Sequence, residues 1–367
     1  MRRVGLFAVC LGTASALVGA CMPGMIDAVW AQESAPWNVE GKLLGERREI
    51  GSPDSKKSED VSGIACSSET GFPRTCLVVD DESQGAQVVI LTDGELIAGD
   101  FIGLIDDSHG GEPLELDAEA VAFADGAFYV MGSHGRPRHP NGLEEERNIA
   151  RAKAGRHVFR IRFADGTIDP STGELSGPPE IRDSTKLTDL LRADAAIAPF
   201  VDAALAQNGL TVEGVAARDG NLYVGLRGPV LGTDSIMVSA PLDALFGDQD
   251  AVVETIRLAL EPDTRGNVRG VRDIVPFEEG FLVLVGPVND PADDAIADGD
   301  YAIYSFVPGA AGTQAAVRKV HDLASFGSKV KPEALMPLDR TDGKLRLLLL
   351  FDGPDEGEPR PITIDLS

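Results

Sequence analysis

Five short motifs set a polar residue directly before a small one at the head of an apolar stretch. They are Val61-Ser62-Gly63-Ile64, Ala118-Glu119-Ala120-Val121, Val212-Glu213-Gly214-Val215, Val268-Arg269-Gly270-Val271 and Pro332-Glu333-Ala334-Leu335. A second polar set closes the apolar stretches that follow: Asp80-Asp81-Glu82, Ser133-His134-Gly135-Arg136, Arg227-Gly228-Pro229, Gly286-Pro287 and Asp352-Gly353-Pro354-Asp355-Glu356. Glu119, Glu213 and Glu333 offer oxygen ligands to a hard divalent cation such as Ca2+. Arg136, Arg227, Arg269 and Arg272 offer planar donors for phosphate or carboxylate, with Asp80 beside them as a ligand contact. His134, the one histidine of the set, and Asp352 are the candidates for proton transfer. A plainer reading uses the same residues. The glutamates can bind backbone N–H groups of a neighbouring strand, and Glu and Arg can form an ion-pair girdle without catalysis.

Repeats are what would bring these residues together. Each motif heads a strand, then a turn rich in Asp, Gly or Asn, then a second apolar strand. In the third copy, Asp219-Gly220-Asn221 leads into Leu222 to Leu226. Such turns tolerate positive φ and favour tight hairpins. Third strands fit Ala86–Leu91, Val158–Phe163, Ile236–Ala240 and Tyr301–Val307, and fourth strands fit Glu95–Leu104, Pro179–Leu187, Val252–Leu260 and Ala316–Leu323. Four antiparallel strands recurring every fifty to sixty residues or so predict an all-β, five-bladed β-propeller, with six blades as the alternative. A β-sandwich gives no reason for five similar starts. In a propeller the first strand of each blade lines the axis, so both polar sets meet at one face.

The small residues of the motifs stand at 63, 120, 214, 270 and 334. The long second interval predicts insertions rather than a blade. Leu190, Leu191, Ile197, Val201 and Leu205 fit helical spacing, with Thr188 as the cap, Pro199 dividing the run and Gly209 ending it. Residues 140–156 read as a second, solvated helix. The fifth unit is one strand short, and Trp37 to Leu44 is expected to supply that strand and close the ring, which removes an exposed edge.

The first 31 residues read as a secretory signal. Arg2 and Arg3 precede an uncharged run from Val4 to Ala20, and Val29-Trp30-Ala31 offers a small residue at the cut. Leu17-Val18-Gly19-Ala20-Cys21 fits a loose lipoprotein box, so anchoring through Cys21 is the alternative. Either route places the protein in the periplasm or outside the cell, with residues 32–367 as one propeller domain and no transmembrane helix in the mature chain. With cleavage after Ala31, Cys66 and Cys76 are the only mature cysteines, and they are expected to bridge in an oxidising compartment. The net charge of −26 argues against nucleic acid and anionic membranes as partners. No zinc-spaced Cys/His cluster, His-Glu-x-x-His, Gly-x-Ser-x-Gly elbow or phosphate-cradling loop occurs.

Taken together, Ser62 to Ile64, Val78 to Glu82, Leu116 to Ala120, Gly132 to Arg136, Val212 to Ala216, Leu226 to Pro229, Arg269 to Asp273, Pro332 to Leu335 and Phe351 to Pro354 resemble an uncharacterised bacterial family, domain of unknown function thirty-six-sixteen. The likeness runs roughly from Val61 to Ile364 and implies membership without an activity. Glu213-Gly214 heading an inner strand is distantly similar to esterase-like phytase and gluconolactonase-type propellers. That similarity implies a divalent metal on axial acidic residues, a pattern from which Ser62 and Arg269 depart. Two functions follow as expectations. One is metal-assisted hydrolysis of a small anionic ester or phosphoester. The other is non-catalytic binding of a small anionic ligand or of a cell-envelope protein.

Overall fold

Inner strands at Val61–Cys66, Ala118–Ala124, Thr211–Arg218, Arg269–Phe277 and Lys331–Thr341 pack side by side in that order, and the fifth lies against the first. The computed structural model describes residues 32–33, 35–47, 55–136, 145–309 and 316–366. Residues 1–31, including Cys10 and Cys21, on which the signal and lipoprotein readings fall, lie outside the described residues. Each inner strand begins an antiparallel sheet that runs outward in sequence order, so the molecule is a five-bladed β-propeller. Blade one continues through Arg74–Asp80, Gly85–Thr92 and Glu95–Gly103, and blade two through Ala127–Gly132, Val158–Arg162 and Glu180–Ser184. Blade three uses Asn221–Leu231, Asp234–Pro241 and Glu254–Leu258, and blade four Gly280–Pro287, Ala302–Val307 and Ala316–Asp322. Blade five has Lys344–Asp352 and Arg360–Asp365 from the C-terminal part of the chain.

The local chemistry explains this regularity. At Asp219-Gly220 and Asp342-Gly343 both turn residues have positive φ, the conformation that matches the twist of a two-residue hairpin. Between each pair of neighbouring blades lies one apolar layer, five in all. Leu226, Val285, Phe351 and Val130 are fully buried in these layers, each worth roughly 1.5–3 kcal/mol of transfer free energy. Near the axis the inner strands converge so closely that a Cβ at Gly214 would sit 3.0 Å from the Asp273 Cα. At Gly63 and Gly214 the missing Cβ is therefore a packing requirement.

Ring closure uses a different segment from the one expected. Gln32–Glu33 pairs antiparallel with Ile362 and Thr363 and supplies the outer strand of blade five. The segment Asn38–Glu40 instead runs parallel to Glu95–Ile97, as a fifth strand on the outside of blade one. Its neighbours explain why. Leu43 is buried, and Trp37 and Val39 pack onto the blade-five/blade-one layer, with Trp37 edge-on to Phe72 at 6.4 Å. Cys66 and Cys76 face each other across the first hairpin and form a disulfide.

The long interval between the second and third motifs holds helix Glu145–Ala154, inserted between the second and third strands of blade two, and, after that blade, helix Lys186–Ala193 and two 3-10 turns, Ala198–Phe200 and Leu205–Gln207. Leu187, Leu191, Ile197 and Val201 join the layer between those blades. Thr188 does not cap the second helix. The cap position is Thr185, and Thr188 is buried one turn inside. Pro199 lies in the first 3-10 turn, beyond the end of the helix. Among the described residues, no helix is long and apolar enough to cross a membrane.

Candidate functional site

Every inner strand carries a register shift near its start, and the residue it displaces is the one turned toward the hub. The shifts fall at Val61/Gly63, Ala118/Ala120, Val212/Gly214, Val271/Asp273 and Pro332/Ala334. An extra residue in one strand kinks the backbone and re-aims its side chain. The displaced residues are Ser62, Glu119, Glu213, Arg272 and Glu333. In blade four, then, Arg272 and not Arg269 is the counterpart of the glutamates, and Asp273 takes the place of the small residue. Gly270 resembles the motif's small residue but lies three residues early. The Arg269 guanidinium donates instead to the carbonyls of Glu261, Pro262, Gly299 and Asp300 and ties down the loops beneath blade four.

Arg272 is fully buried and joins two glutamates, with Nη1 2.8 Å from Glu213 Oε2 and 2.7 Å from Glu333 Oε1. Arg227 donates Nη1 to Glu213 Oε1 at 2.9 Å and Nη2 to Asp290 Oδ1 at 2.6 Å. Burial opposes the charge on Arg272, but Glu213 and Glu333 more than offset it and hold the guanidinium protonated. Burial raises the Glu333 carboxyl above its ordinary value, while the Arg272 guanidinium 2.7 Å away pulls it back toward the charged form. Lys331 reaches Asp352 Oδ2 at 2.5 Å and Asp290 Oδ2 at 3.5 Å. Glu213 and Glu333 are thus committed to guanidinium groups. A buried carboxylate neutralised in this way is a poor ligand for a second cation.

Glu119 has a different neighbourhood. Its carboxylate, that of Asp81 at the end of the blade-one second strand, and that of Asp117 just before the blade-two inner strand lie within 4.8 Å of one another. Asp117 stands at φ 54° and accepts a hydrogen bond from the Ser133 hydroxyl. Asp81 Oδ1 is closed off from solvent and has no hydrogen-bond partner. Burial first, then the charges of Glu119, Asp80 and Asp117, drives the Asp81 carboxyl well above the usual range. Among the described residues, Glu119 is the one of the three expected metal-binding glutamates that belongs to a set of carboxylates able to hold a cation. Of the other two members, Asp81 stands in the polar set Asp80-Asp81-Glu82, and Asp117 directly precedes the second motif.

The remaining site residues are scattered. His134 is fully buried, its Nδ1 2.9 Å from Thr188 Oγ1, and burial lowers its imidazole to about 3. The helical insertion seals it away from any ligand, so it is not placed for proton transfer. Arg136 donates to the Asp202 carbonyl in the same insertion. Asp80 accepts from Ser58 Oγ at 2.6 Å and from the Glu82 N–H, and burial lifts its carboxyl to about 7, so it ties the N-terminal hairpin to blade one. Asp352 is bridged through its backbone to Asp60, whose carboxyl burial and the nearby Asp352 charge push up to about 7. The backbone bridge Asp60–Asp352 and the Asp81 N–H to Asp60 carbonyl bond join the arginine side of the mouth to the carboxylate side.

Fold and hub together define a five-bladed β-propeller with a charged axis divided into an arginine-centred half and an acidic half. Residues 178–361, half of the chain, match the family described as Protein of unknown function (DUF3616), and the chain belongs to that family. No curated protein matches. Among solved structures it is similar to a putative oxidoreductase (glucose dehydrogenase) from Thermus thermophilus, at 13% identity and TM-score 0.39, covering 92% of this chain and 98% of that one. It is also similar to an alpha-L-arabinofuranosidase from Lactobacillus brevis, at 10% identity and TM-score 0.42, covering 83% and 91%. A third is the alpha-L-arabinofuranosidase from Podospora anserina, at 9% identity and TM-score 0.39, covering 90% and 96%.

Proposed function

We propose that this is an exported propeller that takes up a divalent cation, Ca2+ first, through Asp81, Asp117 and Glu119, and uses it to hold a small anionic molecule at the mouth of the axis. The observation that carries the reading is the buried, unpartnered Oδ1 of Asp81 beside two further carboxylates. Three carboxylates gathered this closely repel one another unless protons or a cation intervene, and an oxygen-only set suits a hard ion. A cation held by three protein groups keeps coordination positions for a ligand, and in a hydrolase it would polarise an ester or phosphoester. Asp352 is then the proton-transfer candidate at the mouth. The secretory signal and the disulfide support export.

The engagement of Arg227 and Arg272 with the protein's own carboxylates favours the second reading, a non-catalytic propeller that docks its ligand or an envelope protein without turning it over. Metal analysis of the purified mature protein, followed by melting curves with Ca2+ and with chelator, tests the cation. At a hundredfold excess over Kd, Ca2+ should add about 2.7 kcal/mol to stability. Asp81→Asn should remove that gain, and a wild-type melt indifferent to both additions would defeat the reading. Turnover of simple esters and phosphoesters by the loaded protein separates hydrolase from binder.

A further inference from the structure

Four carboxylates surround three cations in the arginine-centred half of the axis, and one of the four is unlike the rest. Glu213 and Glu333 have side chains 3% and 10% exposed and Asp352 22%, whereas Asp290, at 32%, is the most exposed of the four. The two glutamates match Arg227 and Arg272 in number, and Asp352 matches Lys331. Charge balance therefore does not require Asp290. It comes from the segment after the blade-four second strand, anchored just before it by Arg227 Nε to the Val288 carbonyl and Arg272 Nη2 to the Pro287 carbonyl. Its carboxylate nevertheless takes the focal position. Oδ1 lies 2.6 Å from Arg227 Nη2 and 3.6 Å from Arg272 Nη2, and Oδ2 lies 3.5 Å from Lys331 Nζ.

We propose that Asp290 is a built-in stand-in for a ligand carboxylate: an incoming small organic carboxylate displaces it from Arg227, Arg272 and Lys331. The exchange trades one carboxylate for another, so the local charge is unchanged and the two guanidinium groups stay paired throughout. Its cost is the movement of the Asp290 segment, and that cost weakens the apparent affinity by the fraction of time the position is open. Arginine suits the task, because its planar fork matches two carboxylate oxygens. The inference rests on the proposed function only in taking the axis as an anion site, and it needs no metal.

The test uses the mature protein in chelator, so that its outcome is independent of cation binding. Acetate is titrated against sodium chloride of equal ionic strength, with inorganic phosphate as a second arm. Three proteins are compared: wild type, Asp290→Asn and Asp290→Ala. Wild type should bind acetate weakly, and both variants should bind it roughly tenfold or more tighter, since they no longer compete for the position. In wild type, amide hydrogen exchange over residues 288–300 should rise on acetate addition, which a purely structural strut would not show. Lys331→Met placed on Asp290→Asn should weaken acetate binding again. Folded variants that bind acetate no better than wild type would overturn the proposal. So would acetate binding with unchanged exchange in that segment, or a preference for phosphate over acetate.

Discussion

Asp273 Oδ2 accepts the backbone N–H of Leu335 at 2.8 Å, tying the inner strand of blade four to that of blade five, while Oδ1 accepts the N–H of Ile274. A carboxylate stands here where the other blades place glycine or alanine, and it is fully shut off from water. Burial pushes the Asp273 carboxyl up to about 8, with the two N–H donors pulling the other way. A folded-state value above the unfolded one means that the folded protein holds the extra proton. The contribution is therefore complete below about pH 4 and is lost as pH rises toward 8. Asp273→Asn keeps one acceptor and cannot titrate, so its stability should fall less than that of wild type between pH 5 and 8. Asp273→Ala leaves the Leu335 amide unpaired and should cost about 1–3 kcal/mol at low pH, where the wild-type contribution is complete. Urea unfolding at several pH values checks both, and parallel wild-type and Asn slopes would refute the assignment.

What the sequence made legible was periodic. The Asp-Gly turns, the apolar runs and the count of five blades follow from spacing and turn chemistry, which operate within a few residues. What it hid was the extra residue in each inner strand. In blade four, Gly270 satisfied the motif while the backbone placed Arg272 and Asp273 at the hub, and with that alignment the spacings become 59 and 61 residues rather than 56 and 64. His134 sat in the right motif, yet Thr188 and the insertion bury it, a tertiary event that no local pattern records. Asp290 and Lys331 belong to no shared motif position, and only the closed ring brings them to the arginines.

The disulfide offers a prediction about blade one. Cys66 and Cys76 are ten residues apart in sequence and close the first hairpin against Met336 of blade five. The cross-link acts mainly by restricting the unfolded chain, and for so short a loop the expected gain is about 2–3 kcal/mol. Replacing both cysteines by alanine should lower the urea midpoint accordingly without changing cation binding, because the bridge lies in the hairpin away from Asp81.

Ring closure can be tested by shortening the mature chain. Gln32–Glu33 contributes only two paired residues to blade five, so its removal should cost about 1–2 kcal/mol of backbone hydrogen bonding. The larger effect should be on solubility, since Arg360–Asp365 becomes a bare edge open to pairing with another copy. Light scattering of a protein beginning at residue 36 should show association that wild type lacks at the same concentration. Cutting further, to residue 44, also removes Trp37, Val39 and Leu43 from the blade-five/blade-one layer and should destabilise far more.

Glu119 and Glu213 occupy equivalent displaced positions, and their environments predict opposite consequences on mutation. Glu213 bridges Arg227 and Arg272, both buried, at 2.9 and 2.8 Å. Glu213→Ala leaves two desolvated guanidinium groups to share the remaining carboxylates, and breaking a buried pair from one side typically costs about 3–5 kcal/mol. Glu119 instead adds a third carboxylate beside Asp81 and Asp117. Glu119→Gln removes a repulsion, so in chelator the variant should be as stable as wild type or more so, while its stabilisation by Ca2+ should collapse. Melting curves of the two variants with and without Ca2+ separate the roles. Equal destabilisation by both, with no difference in their response to Ca2+, would mean that the division of the axis into a structural and a cation-binding half is mistaken.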